Sequence, residues 1–153
     1  MSVDNEGANK EGAYDDFDFG DATTQARVSI YESANDIFEG LLDEVKELSR
    51  KKPEATMSAN KVKIINRVLT DLLSILKQEP TGKYLDLLDD ELLPQISDAV
   101  LVMVQFQSAL EAYKGRYHRY LYPQGGHCWV TEELVEEIKA RPAADDEEED
   151  ELR

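Results

Sequence analysis

A basic, aromatic stretch in the second half of the chain holds the side chains with the clearest chemical potential. Three permanent cations and four tyrosines fall within the ten residues from Tyr113 to Tyr122. Tyrosine rings can stack on bases and arginines can hold phosphates, so this stretch is a candidate site for RNA or single-stranded DNA. The candidate residues are Lys114, Arg116, Tyr117, Arg119 and Tyr120.

The same stretch also has a structural interpretation. Tyr113, Tyr117 and Tyr120 recur every three or four positions, which places them on one face of a helix as part of its core. The cations would then lie near the helix C-terminus, where the helix dipole favours positive charge. A third interpretation is that an acidic tail folds back on the cations and screens them until a partner competes.

A second candidate segment alternates aromatic rings with carboxylates near the N-terminus. Such a segment can dock its rings into an apolar groove that is rimmed by lysine or arginine on a partner protein. The alternative is a flexible arm that lies against its own domain. The candidate partner-binding residues are Tyr14, Asp15, Asp16, Phe17, Asp18 and Phe19.

The chain has few histidine or cysteine side chains that could bind a metal ion. His118, His127 and Cys128 show no CxxC or HxxxH spacing, and a structural zinc site normally has four ligands. Adjacent residues rarely face each other productively, which argues against Cys128 as a nucleophile activated by His127. Gly-rich phosphate loops and the GxSxG motif are missing from the sequence. We predict no catalytic residue, no metal and no cofactor, and an enzyme is the least favoured hypothesis.

The charge of the chain is concentrated at its two ends. Of a net charge of −16 in 153 residues, residues 1–21 carry seven acids against one lysine, and residues 141–153 carry seven acids against two arginines. Segments so polar cannot offset the entropy of ordering, which predicts two disordered acidic tails. A single cysteine fits a reducing compartment, no run of about 18 apolar residues could span a membrane, and the start lacks the features of a signal peptide. We expect a cytoplasmic protein.

Helical periodicity organises the rest of the chain. The strongest signal predicts a central helix over residues 92–122. Around Val100 to Val104 its apolar residues cover nearly the whole circumference, so this segment should be surrounded by other elements. Ser58 and Thr131 are typical N-cap residues for two of the other helices. The further predicted helices cover about residues 24–50, 58–78, 84–88 and 132–140.

These elements predict an all-α fold, an antiparallel helical bundle of three long helices plus one short and one small C-terminal helix. The predicted domain organisation is a disordered acidic arm over residues 1–21, a bundle over residues 22–140 and a disordered acidic tail over residues 141–153. The broad apolar faces of the first two helices leave a homodimer open.

The functional hypothesis that follows is a non-catalytic protein-protein interaction module. Its specific form is an acidic inhibitor or regulatory subunit that covers the basic, nucleic-acid-binding surface of another protein. The alternative is a nucleic-acid-associated helical protein that uses the basic, aromatic end of the central helix.

Overall fold

The computed structural model describes residues 12–143, which are mostly helical with one small two-stranded sheet. We number the helices α1 (Gln25–Lys51), α2 (Ala59–Leu76), α3 (Ile96–Tyr117) and α4 (Glu132–Lys139). The strands are β1 (His118–Leu121) and β2 (Gly126–Trp129), and short 3-10 turns cover Gly82–Tyr84 and Tyr122–Gln124. Within this part of the chain, no helix combines the length and apolarity needed to cross a membrane.

The chain divides into two compact units. The helical unit is Ala26–Arg116, and the terminal unit joins Met1–Gln25 to Tyr117–Arg153. Residues 22–140, predicted as one domain, thus include the helical unit and part of the terminal unit, in which residues 12–25 fold with residues 117–143.

The three helices of the helical unit each bury apolar side chains. On α1 the buried side chains include Tyr31, Phe38 and Leu42, which recur at the helical period. Ser58 caps α2 as predicted, since its side-chain oxygen accepts a hydrogen bond from the Lys61 backbone N–H at 3.2 Å. The Tyr31 ring stacks on that of Tyr113 from α3, with ring centroids 5.8 Å apart.

The connection between α2 and α3 is an ordered loop. The predicted short helix over residues 84–88 is replaced by the turn Gly82–Tyr84 and an extended segment. The Asn66 side chain holds this segment, donating to the Leu88 carbonyl at 2.8 Å and accepting from the Leu88 N–H at 2.9 Å. Because the loop thereby buries Leu85 and Leu88, it covers the core without forming a helix.

The predicted central helix over residues 92–122 is shorter at both ends. Leu92 is 80% exposed, and α3 begins only at Ile96, whose N–H donates to the Ala55 carbonyl at 2.9 Å. Leu101 is 66% exposed, so the apolar run is not surrounded on all sides as predicted.

At its C-terminal end the helix gives way to a β-hairpin. Strand β1 pairs antiparallel with β2, and Arg119 lies opposite Cys128 in the register. The turn between the strands needs a left-handed residue, which Gly125 supplies with a φ of +70°. The hairpin buries Leu121, which is 1% exposed, and leaves Tyr120 54% exposed.

Residues 12–21 differ from the prediction of a disordered arm. They fold as a turn and an extended segment, and Phe19 is only 6% exposed. The physical reason is a second, smaller core in the terminal unit, which Phe19 forms with Leu121, Val130 and Ile138. Arg141, placed in the predicted tail, is also described: its guanidinium donates to the Gln124 side-chain oxygen at 2.8 Å. Residues 1–11 and 144–153, the rest of the two predicted tails, lie outside the described residues.

Candidate protein-binding groove

The predicted partner-binding segment is folded into the terminal unit, and its two chemical components separate. The rings of Tyr14, Phe17 and Phe19 turn toward the core and pack edge to face, with centroids 6.2 Å apart for the first pair and 4.9 Å for the second. The carboxylates of Asp15, Asp16 and Asp18 remain exposed. The aromatic rings are therefore not free anchors for a partner's groove. The acids stay at the surface, although Asp15 accepts a hydrogen bond from the Gly12 N–H at 2.7 Å.

Backbone pairing holds the segment at both of its ends. At the first end, Gly12 bridges Pro142, and a Cβ on Gly12 would lie 2.8 Å from the Lys139 carbonyl oxygen, so the close approach needs glycine. At the second end, the Thr23 N–H donates to the Val130 carbonyl at 2.9 Å. We call residues 12–24, which these tethers hold, the strap.

A guanidinium holds the middle of the strap. Arg119 on β1 donates through Nη2 to the Phe19 carbonyl at 2.6 Å and to the Asp21 carbonyl. Between these carbonyls, Gly20 adopts a φ of +69°, and its N–H donates to Asp18 Oδ1 at 2.9 Å. The strap therefore has a defined conformation in which the Asp18 carboxylate is fixed by its own backbone.

The opposite wall is helix α4, whose start is determined locally. The Thr131 side chain accepts a hydrogen bond from the Leu134 N–H at 3.1 Å, as its predicted N-cap role requires. Glu133 turns toward the start of α1 and accepts two hydrogen bonds from the Gln25 N–H, at 3.1 and 3.2 Å. Glu132 and Glu136 are exposed one helical turn apart, on the same side of α4.

The strap and α4 enclose a groove of about 440 Å³, which we call the acidic groove. Apolar lining comes from both walls: Phe17, Phe19, Ala22 and Val135. Its charged lining is Asp18, Glu132, Glu136 and Lys139. The groove thus offers three exposed carboxylates around an apolar surface, with one cation among them.

Lys139 occupies a particular place in this groove. Its ammonium nitrogen lies 5.7 Å from the centroid of the Phe19 ring, within the range of a cation–π interaction. The one cation of the lining is thereby directed at an aromatic face, and within residues 12–143 it forms no ion pair with a groove carboxylate. The described part of the terminal unit has eight acidic side chains against three basic ones, so the field at the groove is negative.

Such a surface is suited to binding. Lysine and arginine bury aliphatic stems on apolar surface while their charged heads reach carboxylates. Arginine pairs with carboxylates through charge-assisted hydrogen bonds, which are stronger than neutral ones. The chemistry of the lining is therefore complementary to that of a basic side chain.

The candidate nucleic-acid residues fall in two separate units. In the helical unit, Lys114 is exposed, and Arg116 pairs through Nη1 with Glu79 Oε1 at 3.0 Å. In the terminal unit, Tyr117 is buried and Arg119 holds the strap. Of the five predicted residues, Arg116 and Arg119 therefore already bind protein groups.

The fifth of these residues, Tyr120, lies on an aromatic face of the hairpin. Side chains two residues apart share a face of a strand, so His118 and Tyr120 stand together and lie opposite Trp129 and His127 in the register. The ring centroids are 5.2 Å apart for His118 and Trp129, and 5.8 Å for Tyr120 and His127. This face offers rings for stacking.

Cys128 points to the other face of the hairpin, which packs on the small core. Burial raises the pKa of the Cys128 thiol, and the nearby Arg119 guanidinium opposes that shift only in part. The raised pKa favours the protonated thiol over the nucleophilic thiolate. Among residues 12–143, no group of three or more histidine, cysteine or acidic side chains is placed to hold a metal ion.

Sequence reasoning missed the α4 wall of the groove. In the sequence, the charged residues of α4 have no feature that distinguishes them from the usual charges of a helix: Glu132, Glu136 and Lys139. More than 110 residues separate them from Asp18. The only signal was the alternation of rings and acids at residues 14–19, which marked one wall and gave no indication of the other. No protein-family model, curated protein or solved structure shows significant similarity to this chain.

Proposed function

We propose that this chain is a non-catalytic protein-protein interaction module whose acidic groove binds a basic segment of another protein. The single observation that carries the proposal is the placement of three exposed carboxylates, of Asp18, Glu132 and Glu136, around the apolar surface of one groove. The partner segment presents arginine or lysine beside an apolar side chain. Covering such a segment would make the chain an acidic inhibitor or regulatory subunit of a protein with a basic, nucleic-acid-binding surface.

The charge of the whole chain supports the same role. A net charge of −16 attracts a basic partner from a distance and raises the rate of encounter, while the groove supplies the short-range contacts. Rim charges of this kind are screened at about 8 Å in physiological salt, so binding should weaken as salt is raised. Tight binding that ignores salt would contradict the proposal.

The helical unit is the platform in this proposal. We propose that α1, α2 and α3, of 27, 18 and 22 residues, form an antiparallel bundle, and that the protein acts in the cytoplasm. Short connections such as the residues between Lys51 and Ala59 support the antiparallel arrangement of neighbouring helices.

The test compares two variants that remove equal charge. The groove variant is Asp18→Asn, Glu132→Gln and Glu136→Gln; each change keeps the shape of the side chain, and Asn retains the oxygen that accepts from the Gly20 N–H. The control variant is Asp71→Asn, Asp86→Asn and Asp90→Asn, at exposed positions of the helical unit. Each purified protein is immobilised and exposed to nuclease-treated lysate of the source cells, and captured proteins are then assayed as purified partners.

We expect to capture a partner with a basic surface that binds the wild type and the control variant with the same affinity. Its affinity for the groove variant should be at least about tenfold lower, because the loss of three charged contacts should cost about 1.4 kcal/mol of binding free energy. Equal loss in both variants would show that only net charge matters. Unchanged binding to the groove variant would refute the groove as the site.

A second candidate function is favoured by one observation, the aromatic face of the hairpin. Tyr120 is 54% exposed there beside three other rings, and base stacking on such rings is typical of single-stranded nucleic acid binding. Tyr120→Ala should then weaken binding of an oligonucleotide, whereas Tyr84→Ala, at another exposed tyrosine, should not. Equal binding by wild type and Tyr120→Ala would exclude this function.

A further inference from the structure

A second groove lies in the helical unit, between α1 and α2, and it differs in chemistry from the acidic groove. It has a volume of about 260 Å³. Its lining is apolar apart from one acid on α1 and one base on α2. The lining includes Leu41, Glu44 and Leu48 on α1, and Lys61 and Ile64 on α2.

Helix α1 has apolar side chains that are not fully buried in the core of the helical unit. The core stripe includes Phe38, Leu42 and Val45, all buried. Beside it runs a second stripe of Ile37, Leu41 and Leu48, spaced by four and seven residues, and Ile37 is 58% exposed. Across the groove, Ile64 on α2 is 41% exposed. Water therefore contacts a band of large aliphatic side chains along both helices.

The two charged side chains of the groove have no partner in the described part of the chain. Glu44 and Lys61 are exposed, and neither side chain forms an ion pair or hydrogen bond within residues 12–143. One lies on each wall of the same groove. A surface with an acid on one wall and a base on the other is complementary to its own copy turned by 180°.

We propose that this groove is the interface of a symmetric homodimer. With the two-fold axis along the groove, α1 of one copy lies over α2 of the other. Glu44 then faces the partner subunit's Lys61, and the symmetry repeats that pair. The aliphatic side chains of both copies close the space between the two ion pairs.

The dimensions of the helices limit the affinity of this dimer. The 18 residues of α2 span about 27 Å, and two helices packed side by side are about 20 Å wide, which gives about 540 Å² of flat contact per copy. This is at the small end of specific interfaces, so the dissociation constant should be in the micromolar range. The dimer is independent of the acidic groove, which lies in the terminal unit.

The test is a charge swap in the full chain, followed by sedimentation equilibrium from about 1 to 500 μM. Glu44→Lys and Lys61→Glu each replace two attractions by two repulsions, and each should raise the dissociation constant about tenfold. The chain with both substitutions restores opposite charges across the axis and should dimerise within about threefold of the wild type. Glu32→Lys makes the same charge change at an exposed position of α1 that does not line the groove, and should leave the dimer intact.

Far-UV circular dichroism of each variant establishes that the helices are retained. A wild type that stays monomeric across the concentration range would overturn the proposal. So would a double variant as weak as the single ones, or a loss in Glu32→Lys equal to that in Glu44→Lys. A groove that serves another protein's helix would give the first of these results.

Discussion

Removal of the Arg119 guanidinium tests how the strap is held. In Arg119→Met the long apolar stem is kept, but the Phe19 and Asp21 carbonyls both lose the donor they share. A hydrogen bond from a charged group contributes about 1.5–3 kcal/mol when its acceptor is buried. The Phe19 bond is half-buried and the Asp21 bond is exposed, so we expect a total loss of about 2–3 kcal/mol from the stability of the terminal unit.

The assay uses the one tryptophan of the chain. Trp129 lies in β2, so its fluorescence during urea titration reports unfolding of the terminal unit. A loss of about 2–3 kcal/mol moves the midpoint by roughly 1–2 M, if the slope is about 1.5–2 kcal/mol per molar urea. Arg50→Met is the matched control, because Arg50 is an exposed partner of Glu47 at the end of α1 and should cost less than about 0.5 kcal/mol.

The reasoning would be refuted if both arginine variants unfolded at the same urea concentration. A change in the urea dependence of the free energy of unfolding, without a shift of the midpoint, would also count against the lost tether. Such a change indicates that the native or the unfolded state has become more or less compact. Proteolysis gives a second reading: the strap of Arg119→Met should be cleaved faster than that of Arg50→Met, because local opening exposes it.

Two further predictions concern the loop that follows α2. Asn66→Ala leaves the N–H and carbonyl of Leu88 without their partners, so chemical denaturation should show a loss of about 2–3 kcal/mol, against less than about 0.5 kcal/mol for Asn60→Ala at an exposed position of the same helix. Asp89 accepts hydrogen bonds from the backbone N–H groups two and three residues further on, which hold the pKa of its carboxyl below the usual range. The ionised Asp89 carboxylate therefore contributes its full stabilisation above the usual pKa of about 3.9, and this contribution is lost as the pH falls through the lower pKa of the folded protein. The difference in the free energy of unfolding between wild type and Asp89→Asn should therefore shrink as the solution is acidified below about pH 4. An NMR titration in which this carboxyl titrates at or above the value of an unfolded peptide would contradict the assignment.

Local signals in the sequence predicted α1, α2 and α4 closely, but not the ends of α3 or the loop at residues 84–88. The starts of α2 and α4 follow from the caps Ser58 and Thr131, and the range of α1 follows from the spacing of its apolar residues. These features depend on neighbours within one or two turns, which a sequence displays directly.

The hairpin and the strap could not be predicted in the same way. The stretch from His118 to Leu121 has a helical period, and only pairing with β2 makes it a strand. The strap is polar enough to predict disorder, yet Phe19 finds its core among residues more than 100 positions away. Such contacts between the two chain ends depend on tertiary structure, and the acidic groove depends on them entirely.

The strap and the groove also connect two parts of the proposed function. Because Arg119 orders the strap, it positions the Asp18 carboxylate without itself lining the groove. Arg119→Met should therefore weaken binding of a basic segment as well as stability, even though the substitution makes the protein more negative. If net charge alone determined binding, Arg119→Met would bind the basic segment more tightly than the wild type does.

The measurement that tests the central claim most directly is an NMR titration of the full chain with a short synthetic peptide in which arginines flank two leucines. We predict saturable amide shifts concentrated at residues 17–22 and 132–139. The affinity should fall at least about tenfold in the groove variant Asp18→Asn, Glu132→Gln, Glu136→Gln. It should be unchanged in the control variant Asp71→Asn, Asp86→Asn, Asp90→Asn. Shifts spread evenly over acidic residues of the chain, or the same affinity in both variants, would contradict this prediction.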